Sequence, residues 1–290
     1  MIVLWTVLLF AVSVAHKFGT KKLQTIFPSG QAAYSFYALI TGVVSSVVYY
    51  VMTGCNLIIN PRLIVFSLLF SVVCRISYVV TFQSLEHNGV FLYDLFMRVG
   101  SIIPPMIISA LVLNENQSMG TLLGGILVIL AALLPGMEFR KFSKKGIVAA
   151  LNTILIATLT VMATKLLVLA EGSDAVLSYT FFTNVFISIT SVFSFGKNCL
   201  KSEGLSIRRV FRKEHYFMIF VVILASNLVG YFAAILIAEV GVIAQTIISN
   251  SLGMLVTILV SLYFKEKLSI KHYISAVLSV ISTILPIVLI

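Results

Sequence analysis

The sequence predicts an all-α membrane protein with ten transmembrane helices, arranged as two inverted five-helix repeats. The first observation is composition: of 290 residues, 60% are hydrophobic and only 10% are charged, and the mean hydropathy is +1.10. Soluble proteins carry about 25% charged residues. The second is the spacing of the apolar runs, and the third is a similarity between the two halves. The outer surface is therefore expected to face hydrocarbon.

Ten apolar runs approach the length of about 20 residues that a helix needs to cross a bilayer. They are too long for strands and lack period-two alternation. The predicted segments are 2–19, 30–52, 62–85, 89–113, 118–136, 147–169, 174–195, 216–238, 242–264 and 270–290. We therefore divide the chain into a first repeat, 1–137, a basic cytoplasmic linker, 138–146, and a second repeat, 147–290.

The charged residues predict the orientation. The net charge is +10, and most lysines and arginines follow the first, fifth, seventh and ninth segments, between apolar runs and not on a nucleic-acid-binding face. The opposite loops hold Glu115, Glu171, Asp174 and Glu239. Because cytoplasmic loops carry the excess of positive charge, both termini are predicted outside the cell membrane, which we expect to be a bacterial plasma membrane.

The two halves match when the sequence is shifted by 151 residues. Residues 114–118 then fall on 265–269, and Pro135 falls on Pro286. A Gly-Val pair at 89–90 meets 241–242 at an offset of 152. Apolar helices always look somewhat alike, but matching polar and proline positions favour duplication. Since five is odd, the second repeat must enter from the other side, as in many transporters.

Five plus five helices, with a Glu-x-x-Ser turn before each final helix, resemble the drug/metabolite transporter superfamily, and most closely its EamA-type ten-helix branch. Residues 102–115 resemble that branch's proline-containing fourth helix. The resemblance implies a transporter without naming its substrate. Two features depart from it: EamA-type members usually have cytoplasmic ends, and the first segment lacks the glutamate that the small multidrug resistance branch uses.

Three charged residues lie at membrane depth, where each costs about 2.5–3.5 kcal/mol on insertion scales and needs a partner or a role. Arg75 is near the middle of the third segment, and Asp94 and Arg98 share one face of the fourth. Arg75 is predicted either to bind an anionic substrate or to hold helices together. Asp94 and Arg98 form either a structural ion pair or a gate that titrates.

Neutral polar residues supply further candidates for substrate binding. In the repeat alignment Arg75 falls opposite Asn227. Such groups also serve as interhelical hydrogen bonds, worth about 0.6 kcal/mol each. The predicted substrate-binding set is Arg75, Tyr78, Asp94, Arg98, Asn227, Tyr231, Gln245 and Asn250.

Two prolines, Pro104 and Pro105, interrupt the fourth segment. They predict either a gating break, with carbonyls freed for a ligand, or a static kink. Lys165 lies about one turn from the predicted outer surface, and we expect its side chain to extend to that surface.

These patterns predict a secondary active transporter that moves a small polar metabolite or drug, anionic or zwitterionic, by alternating access. The alternatives are a sugar-uptake permease of the same superfamily and a flippase of a lipid-linked intermediate. No nucleotide-binding motif, catalytic constellation or metal cluster is present in the sequence, so neither an enzyme nor a cofactor is predicted. The expected partners are the small-molecule substrate, a coupling proton or other ion, and membrane lipids; nucleic acid is not expected, and no oligomeric state is predicted.

Overall fold

The computed structural model describes the backbone of residues 1–24, 31–114, 117–136, 144–199, 213–265 and 268–289. Side chains are described for 1–19, 39–76, 95–114, 117–135, 144–193, 216–265 and 268–289. Within these ranges the chain is helical and contains no strand. The helices are α1 (Ile2–Gln24), α2 (Gln31–Met52), α3 (Pro61–Leu111), α4 (Met119–Gly136), α5 (Lys144–Glu171), α6 (Ala175–Cys199), α7 (Lys213–Val240), α8 (Val242–Tyr263) and α9 (Ile270–Val288).

The helix bounds differ from the predicted segments by a few residues, except in α3. The predicted segments 62–85 and 89–113 both lie within this one helix, so the expected break at 86–88 is absent from the backbone. The reason is local: these three residues include no proline, and Gly89 by itself is tolerated within a helix. Helix α5 begins at Lys144 and so takes up the end of the predicted linker; the preceding part, 137–143, lies outside the described residues.

Helix α3 nevertheless reverses direction. At its start, Asn60 Nδ2 donates to Glu171 Oε2 over 2.7 Å, and farther along, Gly100 packs against Ile154 of α5. Ile154 and Glu171 are about 26 Å apart on α5, whereas Asn60 and Gly100 would be about 60 Å apart on a straight helix. The chain must therefore double back, and we call its two described parts the first arm (61–76) and the second arm (95–111).

The contacts along each arm give their directions. On the first arm, Ser67 bonds to the carbonyl of Tyr179 and Arg75 to that of Thr190, so this arm runs parallel to α6. On the second arm, Arg98 meets Asn250, while Ile102 lies near Ile247, so this arm runs antiparallel to α8. We call the end of the bundle where α5 ends the Glu171 end, and the opposite end the Lys144 end.

The helical surface is apolar enough for a membrane. In the described part of the chain, six helices are long and apolar enough to cross a bilayer: Ile2–Gly19, Lys144–Glu171, Ala175–Phe193, Tyr216–Val240, Val242–Tyr263 and Ile270–Val288. Three shorter apolar helices, Leu39–Met52, Leu95–Leu111 and Met119–Pro135, accompany them. Large side chains such as Phe193 and Phe217 are 75% and 78% exposed. Because a soluble surface rarely exposes so much apolar area, this is a multi-pass helical membrane protein.

Helix α8 is at the centre of the bundle. Within the protein, 72% of this span is buried, against 17–39% for the other five long spans. Its buried residues include Ile247, Ile248 and Val256, which are almost inaccessible. The second arm of α3, α4, α7 and α9 all contact it. Polar groups on α8 are therefore held in the interior, where each needs a partner.

Helices α4 and α9 pack unusually closely. A Cβ added at Gly124 would lie about 3.0–3.1 Å from the Pro286 ring and from the Ser282 carbonyl. In the other direction, Ser275 Oγ donates to the Ala131 carbonyl over 2.6 Å. Small residues allow this approach, as they do in other membrane helix pairs. We call this contact the α4–α9 seam.

A single methyl group tests the contact between α3 and α5. A Cβ at Gly100 would lie 2.5–2.9 Å from backbone atoms of Ile154, so Gly100→Ala should lower the free energy of unfolding by about 1–3 kcal/mol. Gly253→Ala is the matched control, because its Cβ would meet Arg98 at an ordinary 3.6 Å and alanine favours helices. Thermal unfolding in detergent measures both variants. Equal stabilities would contradict the described packing.

Candidate functional site

The second arm of α3 and α8 meet at a buried arginine. Arg98 is only 5% exposed, and its Nη1 donates to the carbonyl of Asn250. The Asn250 amide Nδ2 donates in turn to Ser101 Oγ and to the Thr246 carbonyl, each over 2.9 Å. Two predicted site residues, Arg98 and Asn250, are thus brought together with Ser101. We call these three the Arg98 cluster.

The depth of this cluster follows from helix geometry. Asn250 is about 12 Å along α8 from its first residue, Val242, and about 20 Å from its last residue, Tyr263. Because a hydrocarbon core is about 30 Å thick, the cluster lies near the middle of the bundle. Gly253 presents no side chain to the guanidinium, whose Nη2 would lie 3.6 Å from a Cβ at that position.

The prolines beside the cluster do not end the helix. Both Pro104 and Pro105 lie inside α3, so the expected interruption is absent. Pro104 has no N–H for the carbonyl of Gly100, which would be its partner in a regular helix. Thr158 of α5 supplies a donor in its place: its hydroxyl lies 2.8 Å from the Gly100 oxygen and 2.8 Å from the Ile154 carbonyl, so the two acceptors share one proton. The carbonyl freed by Pro104 is therefore satisfied within the protein.

Arg75 lies on the other arm of α3 and makes a different contact. Its Nη1 donates to the carbonyl of Thr190 on α6, and the residue is partly buried. This is the helix-packing role that the sequence left open beside substrate binding. The described contacts do not join Arg75 to the Arg98 cluster.

The remaining predicted residues are also dispersed. Asn227 is buried; its Nδ2 donates to the Ile223 carbonyl, and its own carbonyl accepts from Tyr49 over 3.4 Å. Gln245 donates to Ser249 on the same helix over 2.6 Å. Tyr231 packs edge-on against the neighbouring Phe232.

Two predicted residues belong to the backbone of α3, but their side chains lie outside the described residues. These are Tyr78 and Asp94. The Asp94–Arg98 ion pair therefore stays a prediction. Of the eight predicted binding residues, the described contacts bring only Arg98 and Asn250 into one cluster.

A cavity of about 470 Å³ opens at the Glu171 end. It is lined by residues of the loop before α4 and by α4, α5, α8 and α9, including Lys165. That lysine is 6% exposed, so its expected extension to the membrane surface is wrong. The error has a physical reason: closeness to the surface along the chain says nothing about which face of the helix the side chain occupies.

Two buried hydroxyl groups on α6 were not among the residues predicted from the sequence. Tyr179 and Thr183 are 3% and 4% exposed, and among the described residues their hydroxyls have no hydrogen-bond partner. They are four residues apart and so share one helix face. That spacing was visible in the sequence and could have drawn attention to them.

The groups available at these positions are suited to ligand binding. Guanidinium, amide and hydroxyl groups dominate, and the described residues contain no group of three metal-ligating side chains. A guanidinium can hold a carboxylate or phosphate with two hydrogen bonds. The Arg98 cluster is therefore suited to an anionic or zwitterionic ligand.

Comparisons with known proteins support the fold alone. No known family model matches the chain, and no curated protein matches it. Among solved structures, 26 chains match. One, described only as "Crystal structure of protein", has a TM-score of 0.69 and 14% sequence identity, and the match covers 99% of this chain and 98% of that one.

The Thr158 contact can be tested by removing one hydroxyl. Thr158→Val leaves the Gly100 carbonyl without its donor, so the free energy of unfolding should fall by about 1–3 kcal/mol. Thr160→Val is the matched control, since the Thr160 hydroxyl bonds to Ile156 of its own helix. Thermal unfolding in detergent should show a loss for the first variant and little change for the second. Equal losses would show that Thr158 has no special role.

Proposed function

We propose that this protein is a secondary transporter that carries a small polar metabolite, anionic or zwitterionic, by alternating access. The observation that carries the proposal is the contact between Arg98 and Asn250 near the middle of the bundle. These residues are equivalent in the two halves at the offset of 152 found in the sequence. A contact between equivalent positions is what an axis relating two repeats produces, and transporter sites lie at such interfaces.

Other contacts obey the same symmetry. At an offset of 151, Gly124 corresponds to Ser275, and Ala131 corresponds to Ser282. Gly124 packs on the Ser282 carbonyl, and Ser275 bonds to the Ala131 carbonyl, so each contact is the counterpart of the other. Independent similarity of apolar helices would not produce this pairing.

The turns before the last helix of each half agree as well. Asn114 and Lys265 are equivalent at the offset of 151, and both have a left-handed backbone, with φ of 50° and 55°. Such a conformation is uncommon for residues other than glycine. With the two arms of α3 counted separately, the described residues form ten helical segments. These features support ten membrane crossings in two inverted repeats.

The two turns provide a test of the inversion. Asn114 follows the second arm of α3 at the Glu171 end, whereas Lys265 follows α8 at the other end, and both are exposed. With the three native cysteines replaced by serine, Asn114→Cys should react with an impermeant maleimide added outside intact cells. Lys265→Cys should react only after the membrane is opened. Labelling of both from one side would refute the inverted arrangement and the predicted orientation.

A test of ligand binding at Arg98 needs a known ligand, and a thermal stability screen can identify one. Purified protein is heated with anionic, zwitterionic and neutral metabolites, sugars included, because a ligand stabilises the state that binds it. The best ligand then serves in uptake assays with proteoliposomes. Stabilisation by neutral sugars alone would favour the sugar permease.

In these assays Arg98→Met should reduce uptake by about tenfold or more, since a hydrogen bond to a charged group contributes about 1.5–3 kcal/mol. Arg75→Ala and Asp94→Asn should also reduce uptake if both residues act on substrate or gating. Lys145→Met is the control, because Lys145 is exposed at the start of α5. Full uptake in all three site variants would refute the site.

A further inference from the structure

The cavity at the Glu171 end is large enough for a small metabolite. Its volume of about 470 Å³ lies within the range of about 300–1,000 Å³ typical of ligand pockets. Val168, Leu169 and Pro286 supply an apolar part of the lining. Residues 240–244 add further apolar side chains, and the polar groups come from three separate parts of the chain: Lys165, the backbone at the start of α8, and the segment 117–121.

The first polar group that lines the cavity is a buried lysine. Lys165 lines the cavity although only 6% of its surface is exposed. An ammonium group is a compact point charge with three donors. A cation that lines a cavity favours an anionic occupant over a neutral one.

The start of α8 forms a second polar wall. Gly241 precedes this helix with a φ of 79°, and residues 242–244 line the cavity. The first N–H groups of a helix have no partner within it and carry the positive end of its dipole. Lys165 and α8 therefore present positive potential to the same space from different elements.

The loop before α4 contributes neutral donors. Gln117, Ser118 and Thr121 line the cavity, and the Ser118 and Thr121 hydroxyls are 2.9 Å apart. Hydroxyl and amide groups can donate to an oxygen of a ligand. Together these groups suit a carboxylate or phosphate with a small organic body.

Helix α8 joins this cavity to the Arg98 cluster. Gln245 follows the cavity-lining Ala244, and its amide donates to Ser249 over 2.6 Å. The next residue, Asn250, holds Arg98. From Val242 to Asn250 the helix rises about 12 Å. The backbone of α8 thus links the cavity to the residue that binds Arg98.

We propose that this cavity is a second binding site, which takes a small organic anion through its carboxylate or phosphate group, with Lys165 as the principal ligand. Its role as the entry position for Arg98 rests on the proposed function, but binding itself does not require transport. The same chemistry is offered by a free metabolite and by a lipid phosphate headgroup, and the experiment separates these sources.

The test measures thermal stabilisation of the purified full chain at constant ionic strength, with chloride as the reference anion. The probes are inorganic phosphate, succinate and a short-chain phosphatidylglycerol. We expect saturable stabilisation of the wild type, and an apparent Kd raised about tenfold or more by Lys165→Met. Lys165→Arg should retain most of the affinity, and Lys145→Met, which removes an exposed lysine from the same helix, should change nothing.

Gln117→Leu gives a second, milder variant, because residue 117 lies in a loop and leucine stands at its repeat counterpart, 268. It should weaken binding severalfold without affecting the fold. Stabilisation by phosphatidylglycerol alone would support the anion site and identify its occupant as a lipid headgroup. Absence of saturable stabilisation of the wild type by all three probes would overturn the proposal, as would an equal loss in Lys145→Met.

The two proposals fail separately. Saturable binding at the cavity by a wild-type protein that transports none of the ligands that stabilise it would leave the cavity site intact and refute the transport function. Uptake that persists fully in Lys165→Met would refute the entry role.

Discussion

A polar group inside this bundle must find its partner within the protein, and most of the described architecture follows from that constraint. Many hydroxyls donate to a carbonyl four residues earlier in their own helix, as Thr153 and Thr257 do. Such bonds satisfy the hydroxyl but fix nothing between helices. The bonds that cross between helices determine the arrangement, and two of them bind the second arm of α3: Arg98 to Asn250, and Thr158 to Gly100. Because unmet polar groups are so costly in an apolar interior, these contacts hold the second arm of α3 against both α5 and α8.

Most helices could be predicted from the sequence, because hydropathy is a property of each residue by itself. In addition, a helix that crosses a bilayer needs an apolar run of matching length. Helix α8 begins at the predicted residue 242 and α9 at 270. The course of α3 was not predictable in the same way, because the backbone is helical through 86–88, where a break was expected. A reversal of direction depends on what the two arms pack against, here α5, α6 and α8, and those contacts join residues far apart in the chain.

The candidate site was harder to predict than the fold, for a geometric reason. The sequence gives the depth of a residue along its helix, but not the direction in which its side chain points around the axis. Arg75 and Asn227 correspond in the repeat alignment, yet the former bonds to α6 and the latter to its own helix and to Tyr49. Lys165 was misjudged for the same reason. The repeat offset, in contrast, pairs Arg98 with Asn250, which are in contact. In the inverted repeat that we propose, a residue near the two-fold axis would meet its own counterpart.

The α4–α9 seam has a consequence for how such a protein could move. Its backbones are too close to slide without losing the Ser275–Ala131 bond or colliding at Gly124. In the transport cycle that we propose, the α4–α9 seam would keep the same arrangement in both conformations, while the other helices rearrange around it. A substitution in the seam would then change the free energy of both conformations by the same amount. An equal change leaves their relative populations unaltered. We therefore expect the seam to determine the amount of folded protein, and not the balance between the two conformations of the transport cycle.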